Sequence, residues 1–273
     1  GGFLQKRRLG STEHKGPVLN LIHGADGEDG TMASLFSFFG IPFIGPRTDA
    51  SVLSFDKRMT KWFAKGRGIN TVAYEGLHSA RMRQTKVPMP CIIKPSRLGS
   101  SIGVSVVKHE NELDYALDVA FEFDDSVIIE PFIAGVKEYN LAGYRGAEGI
   151  VYSIIEEPQK QEFLDFDKKY LDFSRSAEVK AAQIDAALET KLKLTFADIY
   201  EGLFEGALIR CDFFVIDGEV YLNEINPIPG SMANYLFPDF QGAVADLLEN
   251  LPRAPHVRVE YRYIHSINTA KGK

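Results

Sequence analysis

The chain has 273 residues, 45% hydrophobic and 25% charged, which is long enough and apolar enough for two or three compact lobes with a sizeable core. Its formal net charge of −6 and pI near 5.6 exclude the strongly basic surface of a nucleic-acid-binding protein. No apolar run reaches the length of a membrane span and no signal peptide is visible, so we expect neither nucleic acid nor membrane as a partner.

The two cysteines and the first residue give two further expectations. Cys91 and Cys211 both lie in apolar, strand-like runs, where a free thiol behaves as a small hydrophobic residue. Such cysteines predict a protein of the reducing cytoplasm. The chain opens on Gly1 rather than Met, with G-G-F-L-Q-K-R-R, and we expect that an N-terminal segment is missing.

The first predicted elements form a parallel α/β unit. Residues 17–23 predict a buried strand, residues 31–40 a helix after a glycine-rich turn, and residues 41–46 a second short strand. A strand–helix–strand order favours parallel pairing of the two strands. His23 ends the first strand and could face a ligand there, although a lone histidine is more often structural.

The next segment predicts a helix that carries lysines. Residues 50–67 have the apolar spacing of one amphipathic helix, with Lys57 and Lys61 on a flank. A helix lysine is normally a solvated charge, so this segment alone predicts no site. Residues 68–74 predict a strand, and the polar, basic residues 78–86 predict an exposed connection.

Residues 90–108 predict two strands joined by a loop of glycine and serine, P-S-R-L-G-S-S-I-G, with Lys94 at the end of the first strand. Such a loop offers backbone N–H groups, hydroxyls and a lysine to phosphate oxygens. It is not a P-loop, because its lysine precedes the glycines. We interpret it as a phosphate-binding loop, and the alternative is an ordinary flexible turn.

Two acids follow in the next predicted strands. Residues 110–123 predict an amphipathic helix, and residues 127–132 a strand in which Glu130 is embedded, with Glu138 shortly after it. Glu130 could accept an adenine amino group and Glu138 a ribose hydroxyl, or either could form a surface salt bridge.

The elements after these acids are predicted from spacing alone. Two further strands are expected, then a long polar loop of the kind that often forms a lid, then a helix broken near Ala187. A short helix and a terminal strand are expected after residue 231. In chain order, these six elements are residues 139–142, 150–156, 157–174, 177–202, 243–248 and 257–264.

Residues 206–231 predict an apolar hairpin that carries four polar residues, Arg210, Asp212, Glu224 and Asn226. Asp217-Gly218, between two runs of Phe, Val, Ile and Tyr, is a strong hairpin signal. A two-residue turn would place Asp212 and Glu224 on opposite faces. A three-residue loop with Gly218 in the left-handed conformation would instead bring all four polar side chains onto one face. We favour the three-residue loop.

The grouped side chains suit phosphate chemistry. Asp, Glu and Asn together supply the hard oxygen ligands that Mg²⁺ takes when it also binds phosphate. Arg210 beside them could hold a carboxylate or a developing oxyanion. The alternative is an edge hairpin whose polar face is simply solvated.

In chain order, seven motifs resemble the D-alanine–D-alanine ligase family of the ATP-grasp superfamily. They are H-G-x-x-G-E-D-G-T, D-K-x-x-T-K, I-K-P-S-R-x-G-S-S-x-G-V, E-P-F-I-x-G-x-K-E, K-K-Y, R-x-D-F and N-E-I-N-x-x-P-G, and the resemblance as a whole runs from about His23 to Leu236. The resemblance implies an α/β protein of the α+β ATP-grasp kind. An incomplete N-terminal parallel α/β domain (1–48) would precede a central ATP-grasp subdomain with the phosphate-covering loop (49–131). The C-terminal subdomain with the metal site and lid (132–273) would follow, and the nucleotide would lie between the two subdomains.

The same resemblance implies residue roles. ATP would be bound by Lys57, Lys94, Gly99, Ser100, Ser101, Gly103, Glu130, Phe132, Ile133, Glu138 and Lys169. Two Mg²⁺ ions, with Mn²⁺ as a substitute, would be held by Asp212, Glu224 and Asn226. The catalytic residues would be Arg210, Ser101, Tyr170 and Gly230. The substrate would contact His23, Tyr170, Arg210, Gly230, Tyr235 and Leu236.

The implied reaction joins two D-alanine molecules for peptidoglycan precursor synthesis. The carboxylate of the first would attack the γ-phosphate of ATP to give an acylphosphate, and the amine of the second would displace phosphate. One alternative is a ligase with another acceptor such as D-lactate, although Tyr170 after Lys169 favours an amine. The other is a non-catalytic Mg-ATP-binding module, because the family's N-terminal F-G-G-x-S-x-E-H-E motif is absent. The resemblance also suggests a homodimer.

This sequence departs from the family pattern at two further places. Pro131 stands where some members carry a lysine directly after the adenine-site acid, and residues 231–234, S-M-A-N, replace a threonine-containing run. One adenine contact and the pocket for the second substrate are therefore expected to differ in detail.

Overall fold

The computed structural model of the chain describes residues 16–99, 101–158 and 181–252. In chain order its elements are β1 (Val18–Leu19), α1 (Thr31–Phe39), β2 (Phe43–Ile44), α2 (Thr48–Phe55), α3 (Lys57–Gly66), β3 (Glu75–Leu77), β4 (Cys91–Pro95), β5 (Ser105–Val107), a 3-10 turn (Glu110–Glu112), α4 (Leu113–Phe123), β6 (Val127–Pro131), β7 (Lys137–Gly146), β8 (Gly149–Glu156), α5 (Ala186–Tyr200), β9 (Ile209–Ile216), β10 (Glu219–Asn226), a second 3-10 segment (Gly230–Leu236) and α6 (Phe240–Glu249).

The N-terminal strands pair in parallel, with Val18 opposite Phe43 and helix α1 between them in sequence. The predicted parallel α/β unit is confirmed. Helix α1 ends at Gly40, whose φ of 67° is the left-handed C-terminal cap that glycine adopts without strain.

The single helix predicted over residues 50–67 is wrong, because the chain breaks at Asp56. Asp56 is extended (φ −92°, ψ 111°), and its carboxylate accepts hydrogen bonds from the backbone N–H groups of Arg58 and Met59. The extended backbone of Asp56 ends α2. Its carboxylate then accepts hydrogen bonds from backbone N–H groups at the start of α3, which the break leaves without a helical carbonyl partner. The strand predicted over residues 68–74 is also wrong, since β3 begins only at Glu75.

A four-stranded antiparallel sheet has the order β3-β6-β4-β5. One face packs against α4 through a core that includes Cys91, Ile93, Ile129 and Leu117. Lys94 and Glu130 lie on the opposite face, because Glu130 pairs with Ile92 and side chains two apart in a strand share a face. The sheet therefore directs an ionic pair away from its apolar core.

A second antiparallel sheet has the order β10-β9-β7-β8. Helix α5 packs on one face through Leu192, Phe196 and Tyr200, which are fully buried. The helix predicted over residues 177–202 begins only at Ala186, because residues 181–185 are not helical and Asp185 caps α5. The predicted break near Ala187 is also wrong, since α5 runs from its cap to Tyr200 without interruption. The second 3-10 segment and α6 cover part of the sheet through another apolar cluster.

Helices α2 and α3 pack against β10, and Ala50 and Ala64 belong to the same core as α5. Packing thus joins the start of the predicted central segment (49–131) to the C-terminal sheet. The boundaries after residues 48 and 131 remain predictions. The predicted terminal strand (257–264) and most of the predicted lid (157–174) lie outside the described residues.

Cys91 and Cys211 are buried and free. None of the helices in residues 16–99, 101–158 and 181–252 combines the length and apolar character that a membrane crossing requires.

Candidate functional site

The β9–β10 hairpin turns through two residues, Asp217 and Gly218, with φ angles of 52° and 78° and with Ile216 opposite Glu219. The three-residue loop that we favoured is therefore wrong. A register shift between Leu222 and Glu224 nevertheless leaves one extra residue, Asn223, in β10. Such a bulge changes which face the following side chains point to.

The bulge places Glu224 directly opposite Asp212, and Asn226 directly opposite Arg210. Directly opposed residues share a face of an antiparallel pair, so all four polar side chains lie on one face. Their predicted grouping is confirmed, but the bulge causes it and the turn does not. The expectation that a two-residue turn separates Asp212 from Glu224 is wrong for the same reason.

Arg210 and Asp212 form a two-pronged ion pair. The Nε and Nη2 atoms of Arg210 donate to the two Asp212 oxygens at 2.7 and 2.8 Å, and Nη1 donates to the Tyr235 hydroxyl at 3.1 Å. Burial disfavours the charged guanidinium, but the Asp212 carboxylate outweighs burial and raises the pKa of Arg210. The Asn226 amide also donates to Asp212, at 3.0 Å. Arg210 is therefore held in one orientation and stays charged.

Lys57 links the hairpin to the glycine–serine loop. It is the first residue of α3, and its Nζ donates to the Leu98 carbonyl at 2.6 Å and lies 3.5 Å from Glu224 Oε1. Its backbone N–H donates to the Ser96 carbonyl at 2.9 Å. Helical spacing alone predicts a solvated Lys57, because nothing in one helix shows what its flank faces.

The glycine–serine loop is built from tight backbone turns. Ser101 and Gly103 have φ angles of 59° and 68°. A Cβ atom on Gly103 would lie 2.8 Å from side-chain atoms of both Phe123 and Pro95, so this position requires glycine for space as well as for conformation. Gly99 is exposed, and Ser100 lies outside the described residues.

Glu130 is buried, with 3% of its surface exposed, and each of its carboxylate oxygens contacts a different lysine. Lys61 Nζ lies 2.5 Å from Oε1, and Lys94 Nζ lies 2.6 Å from Oε2. Burial alone would raise the pKa of Glu130, but the two ammonium groups reverse this and lower it to about 2. Burial likewise disfavours the charge on Lys94, yet the Glu130 carboxylate outweighs burial and raises the pKa of Lys94.

Sequence reasoning missed Lys61 as a site residue. A usable signal was present in D-K-x-x-T-K, because residues four apart lie on the same face of a helix. Because Lys57 contacts the loop and the hairpin, the spacing predicts that Lys61, one helical turn later, points into the same region.

The N-terminal unit supplies a second missed residue, Glu28. Its Oε2 accepts a hydrogen bond from the Gly24 backbone N–H at 2.7 Å, and its Oε1 lies 3.9 Å from His23 Nδ1. Burial raises the pKa of Glu28, the Glu224 carboxylate adds to this effect, and Lys57 opposes it. The His23 side chain itself is 53% exposed.

The remaining predicted residues are placed as follows. Glu138 lies on β7 opposite Phe214, on the same sheet face as Asp212. Phe132 and Ile133 are half-buried in the connection from β6 to β7. Lys169 and Tyr170 lie outside the described residues.

The segment after the hairpin contains Gly230, which is exposed, and Leu236, which is fully buried among Met232 and Phe237. The structure therefore brings Tyr235 to Arg210 and leaves the Leu236 side chain in the core. Residues 231–233 have φ angles of 52°, 51° and 50°. Three consecutive left-handed residues other than glycine are strained, and such strain is concentrated at functional sites.

The donor set on the hairpin fits a divalent cation that also binds phosphate. Within the described ranges no three His, Cys, Asp or Glu side chains group closely enough to enclose a metal by themselves. Asp212 and Glu224 are opposed carboxylates with the Asn226 amide beside them. Two carboxylates and an amide are a partial shell of hard oxygen ligands, and Mg²⁺ usually completes such a shell with water and phosphate oxygens.

Two antiparallel sheets, one bearing a glycine–serine loop with lysines and the other an acidic hairpin, define an ATP-grasp protein, and similar solved structures confirm this predicted fold class. Residues 63–245 match the family described as D-ala D-ala ligase C-terminus. The chain belongs to the D-alanine–D-alanine ligase family.

Three similar proteins illustrate the match. The D-alanine–D-alanine ligase of Sulfurimonas denitrificans is 61% identical over 273 residues, which cover 100% of this chain and 79% of that protein. The crystal structure of the Helicobacter pylori D-alanine–D-alanine ligase has a TM-score of 0.77 at 51% identity, covering 88% of this chain and 71% of that one. The VanG D-Ala:D-Ser ligase of Enterococcus faecalis has a TM-score of 0.68 at 28% identity, covering 85% and 71%.

Proposed function

We propose that this enzyme uses ATP to join two D-alanine molecules into D-alanyl-D-alanine for peptidoglycan precursor synthesis. The observation that carries the proposal is the position of Lys57, which contacts both the glycine–serine loop and Glu224 of the acidic hairpin. A lysine at that point can hold phosphate oxygens beside the carboxylates that would hold their metal. The relatives at 53–61% identity that carry the ligase name support the same activity.

The ATP site in this proposal lies between the two antiparallel sheets, with residues 49–131 and 132–273 as its two subdomains and residues 1–48 as part of the substrate-binding domain. Lys57, Lys94 and the backbone of residues 99–103 would hold the phosphates, joined by Lys169 of the predicted lid. Phe132, Ile133 and Glu130 would contact the adenine, and Glu138 the ribose.

Asp212, Glu224 and Asn226 would hold two Mg²⁺ ions, for which Mn²⁺ would be a substitute. Bound there, the ions would neutralise charge on the transferred phosphoryl group.

Arg210 would act on the substrate carboxylate and on the oxyanion that forms when the amine attacks. A guanidinium has five N–H donors. Among the described residues, three of them donate to Asp212 and Tyr235, which leaves one on each terminal nitrogen for a ligand. Because Asp212 fixes the plane of the guanidinium, these donors are positioned before the substrate binds, which is the arrangement that stabilises developing charge.

The two reaction steps need no covalent bond to the enzyme. The carboxylate of the first D-alanine attacks the γ-phosphate and ADP leaves, and the amine of the second D-alanine then displaces phosphate from the acylphosphate. Ser101, Tyr170 and the Gly230 backbone would orient the substrates during these steps. His23 and Tyr235 would line the substrate pocket, with Leu236 packed behind it.

The test is release of phosphate from Mg-ATP with D-alanine as the only other substrate, with the dipeptide identified by mass. Absence of release with D-alanine alone would overturn the proposal. Release only after addition of D-lactate or D-serine would indicate another acceptor. D-serine is included because the similar VanG protein is a D-Ala:D-Ser ligase. Binding of Mg-ATP without release under all these conditions would indicate a non-catalytic module.

The proposal also includes the cellular location and the oligomeric state of the enzyme. A cytoplasmic location is supported by the two free, buried cysteines and by the need for ATP. A homodimer is proposed from the family resemblance, and sedimentation equilibrium of the purified chain tests it.

A further inference from the structure

Lys61 is a buried lysine for which the proposed reaction has no role. Only 3% of its surface is exposed, and its Nζ donates to the Val72 carbonyl at 3.2 Å and lies 5.3 Å from the centre of the Tyr74 ring. A lysine is rarely buried without a charged partner, because the ammonium group loses its hydration. Its partner is Glu130, at 2.5 Å.

The Glu130 carboxylate is divided between two lysines. One oxygen contacts Lys61 and the other contacts Lys94, so the three groups together carry two positive charges and one negative charge. Lys94 is the more accessible lysine, with 15% of its side chain exposed against 3% for Lys61. The net positive charge of the cluster is therefore accessible at Lys94 and not at Lys61.

We propose that Lys61 is a positioning residue for Lys94: by binding one oxygen of Glu130, it keeps the Lys94 ammonium group available for the phosphates of ATP. Without Lys61, Glu130 and Lys94 would form a closed, neutral pair, and an ATP phosphate would have to compete with a buried carboxylate for Lys94. This inference rests on the proposed function, because it assumes that ATP binds at Lys94.

Helix α3 provides the geometry for this arrangement. Lys57 and Lys61 are one helical turn apart and face the same way, the first toward the loop and Glu224 and the second toward Glu130. The helix thus sets both lysine positions at once, and its capping residue Asp56 fixes where the helix begins.

The first experiment compares Lys61→Met with Lys65→Met, which removes the same charge from an exposed position one turn further along α3. Mg-ATP binding is measured by calorimetry without D-alanine, and KM values are measured for both substrates. Lys61→Met is expected to raise the Kd and KM for ATP about ten-fold, the effect of losing one nearby unit charge, while the D-alanine KM and kcat change by less than about two-fold. Lys65→Met is expected to match the wild type.

The second experiment asks whether removing the negative charge restores ATP binding. In Lys61→Met/Glu130→Gln, Lys94 no longer has a carboxylate to pair with and the cluster again carries one positive charge. Because Glu130 is also proposed to contact the adenine, we expect a partial recovery, with Mg-ATP bound at least about three-fold more tightly than by Lys61→Met. Lys61→Arg is expected to stay within about three-fold of the wild type. A role that is only structural would lower the melting temperature and raise both KM values together, with no recovery in the double variant.

The inference is overturned if Lys61→Met binds Mg-ATP as the wild type does, or if the double variant binds no better than Lys61→Met. Failure of the proposed function is distinguishable, because it would show as a lack of D-alanine-dependent phosphate release by the wild type. Calorimetric ATP binding by the variants is read independently of that release.

Discussion

Glu224 lies directly opposite Asp212 in the β9–β10 pair, although the turn that joins the strands has only two residues. The extra residue Asn223 shifts the register of β10 against β9 by one residue, and this shift lies within the strand and not at the turn. An antiparallel hairpin of regular register would place Glu224 opposite Cys211 and point its carboxylate toward the apolar core. The acidic hairpin therefore depends on a bulge at Asn223, five residues beyond Gly218 of the turn.

Glu224→Gln is expected to reduce turnover by at least about 100-fold and to raise the Mg²⁺ concentration needed for half-maximal activity, because the amide removes one anionic ligand. The side chain is 32% exposed, so folding should be unaffected. Phosphate release at varied Mg²⁺ measures the effect. Glu219→Gln, in the same strand but on the exposed pair with Lys191, is the matched control. Wild-type rates for Glu224→Gln would remove it from the proposed metal site.

Arg210→Lys is expected to lower kcat by about 100-fold, because a lysine cannot make the two-pronged contact with Asp212 and also donate to Tyr235. Tyr235→Phe removes only one of these contacts and should cost about 1 kcal/mol, a change of several-fold in rate. Steady-state kinetics on both variants tests whether Arg210→Lys loses more activity than Tyr235→Phe. Equal losses would show that the Tyr235 contact, and not the Asp212 pair, holds the guanidinium.

Glu130→Gln is expected to destabilise the fold by about 3–5 kcal/mol near neutral pH, because two lysines lose their shared carboxylate. The folded pKa of Glu130 is lowered from 4.5 to about 2, so its stabilising effect is present above pH 4.5 and is lost as the pH falls from 4.5 toward 2. Urea midpoints measured from about pH 7 to about pH 3 should show the difference between wild type and variant narrowing below 4.5. A difference in urea midpoint that stays constant across that pH range would contradict the lowered pKa of Glu130.

Asp56→Ala is expected to lower the free energy of unfolding by about 1 kcal/mol, since two backbone N–H groups at the start of α3 lose their acceptor. Asp56→Asn keeps an oxygen at that position and should lose less. Chemical denaturation measures both. We also expect Asp56→Ala to weaken Mg-ATP binding, because Lys57 and Lys61 move with the helix start. Unchanged ATP binding with reduced stability would show that α3 is held in place by its packing alone.

The chain sequence by itself determined the elements with strong local signals. The parallel strand–helix–strand unit, the strands on either side of the glycine–serine loop and the apolar hairpin follow from hydrophobic periodicity and from Gly and Asp at turns. The ordered motifs also identified the family, because seven motifs in one order are specific where each alone is weak.

Only the tertiary structure decided which polar groups meet. Whether Lys57 and Lys61 face solvent or a site depends on what packs against α3, and that partner is a strand far away in sequence. Residue spacing does not predict the bulge at Asn223, because the bulge costs little free energy locally and its position is set by the pairing of the whole sheet. The sharing of Glu130 between two lysines is likewise a property of distance and burial, which a linear sequence does not contain.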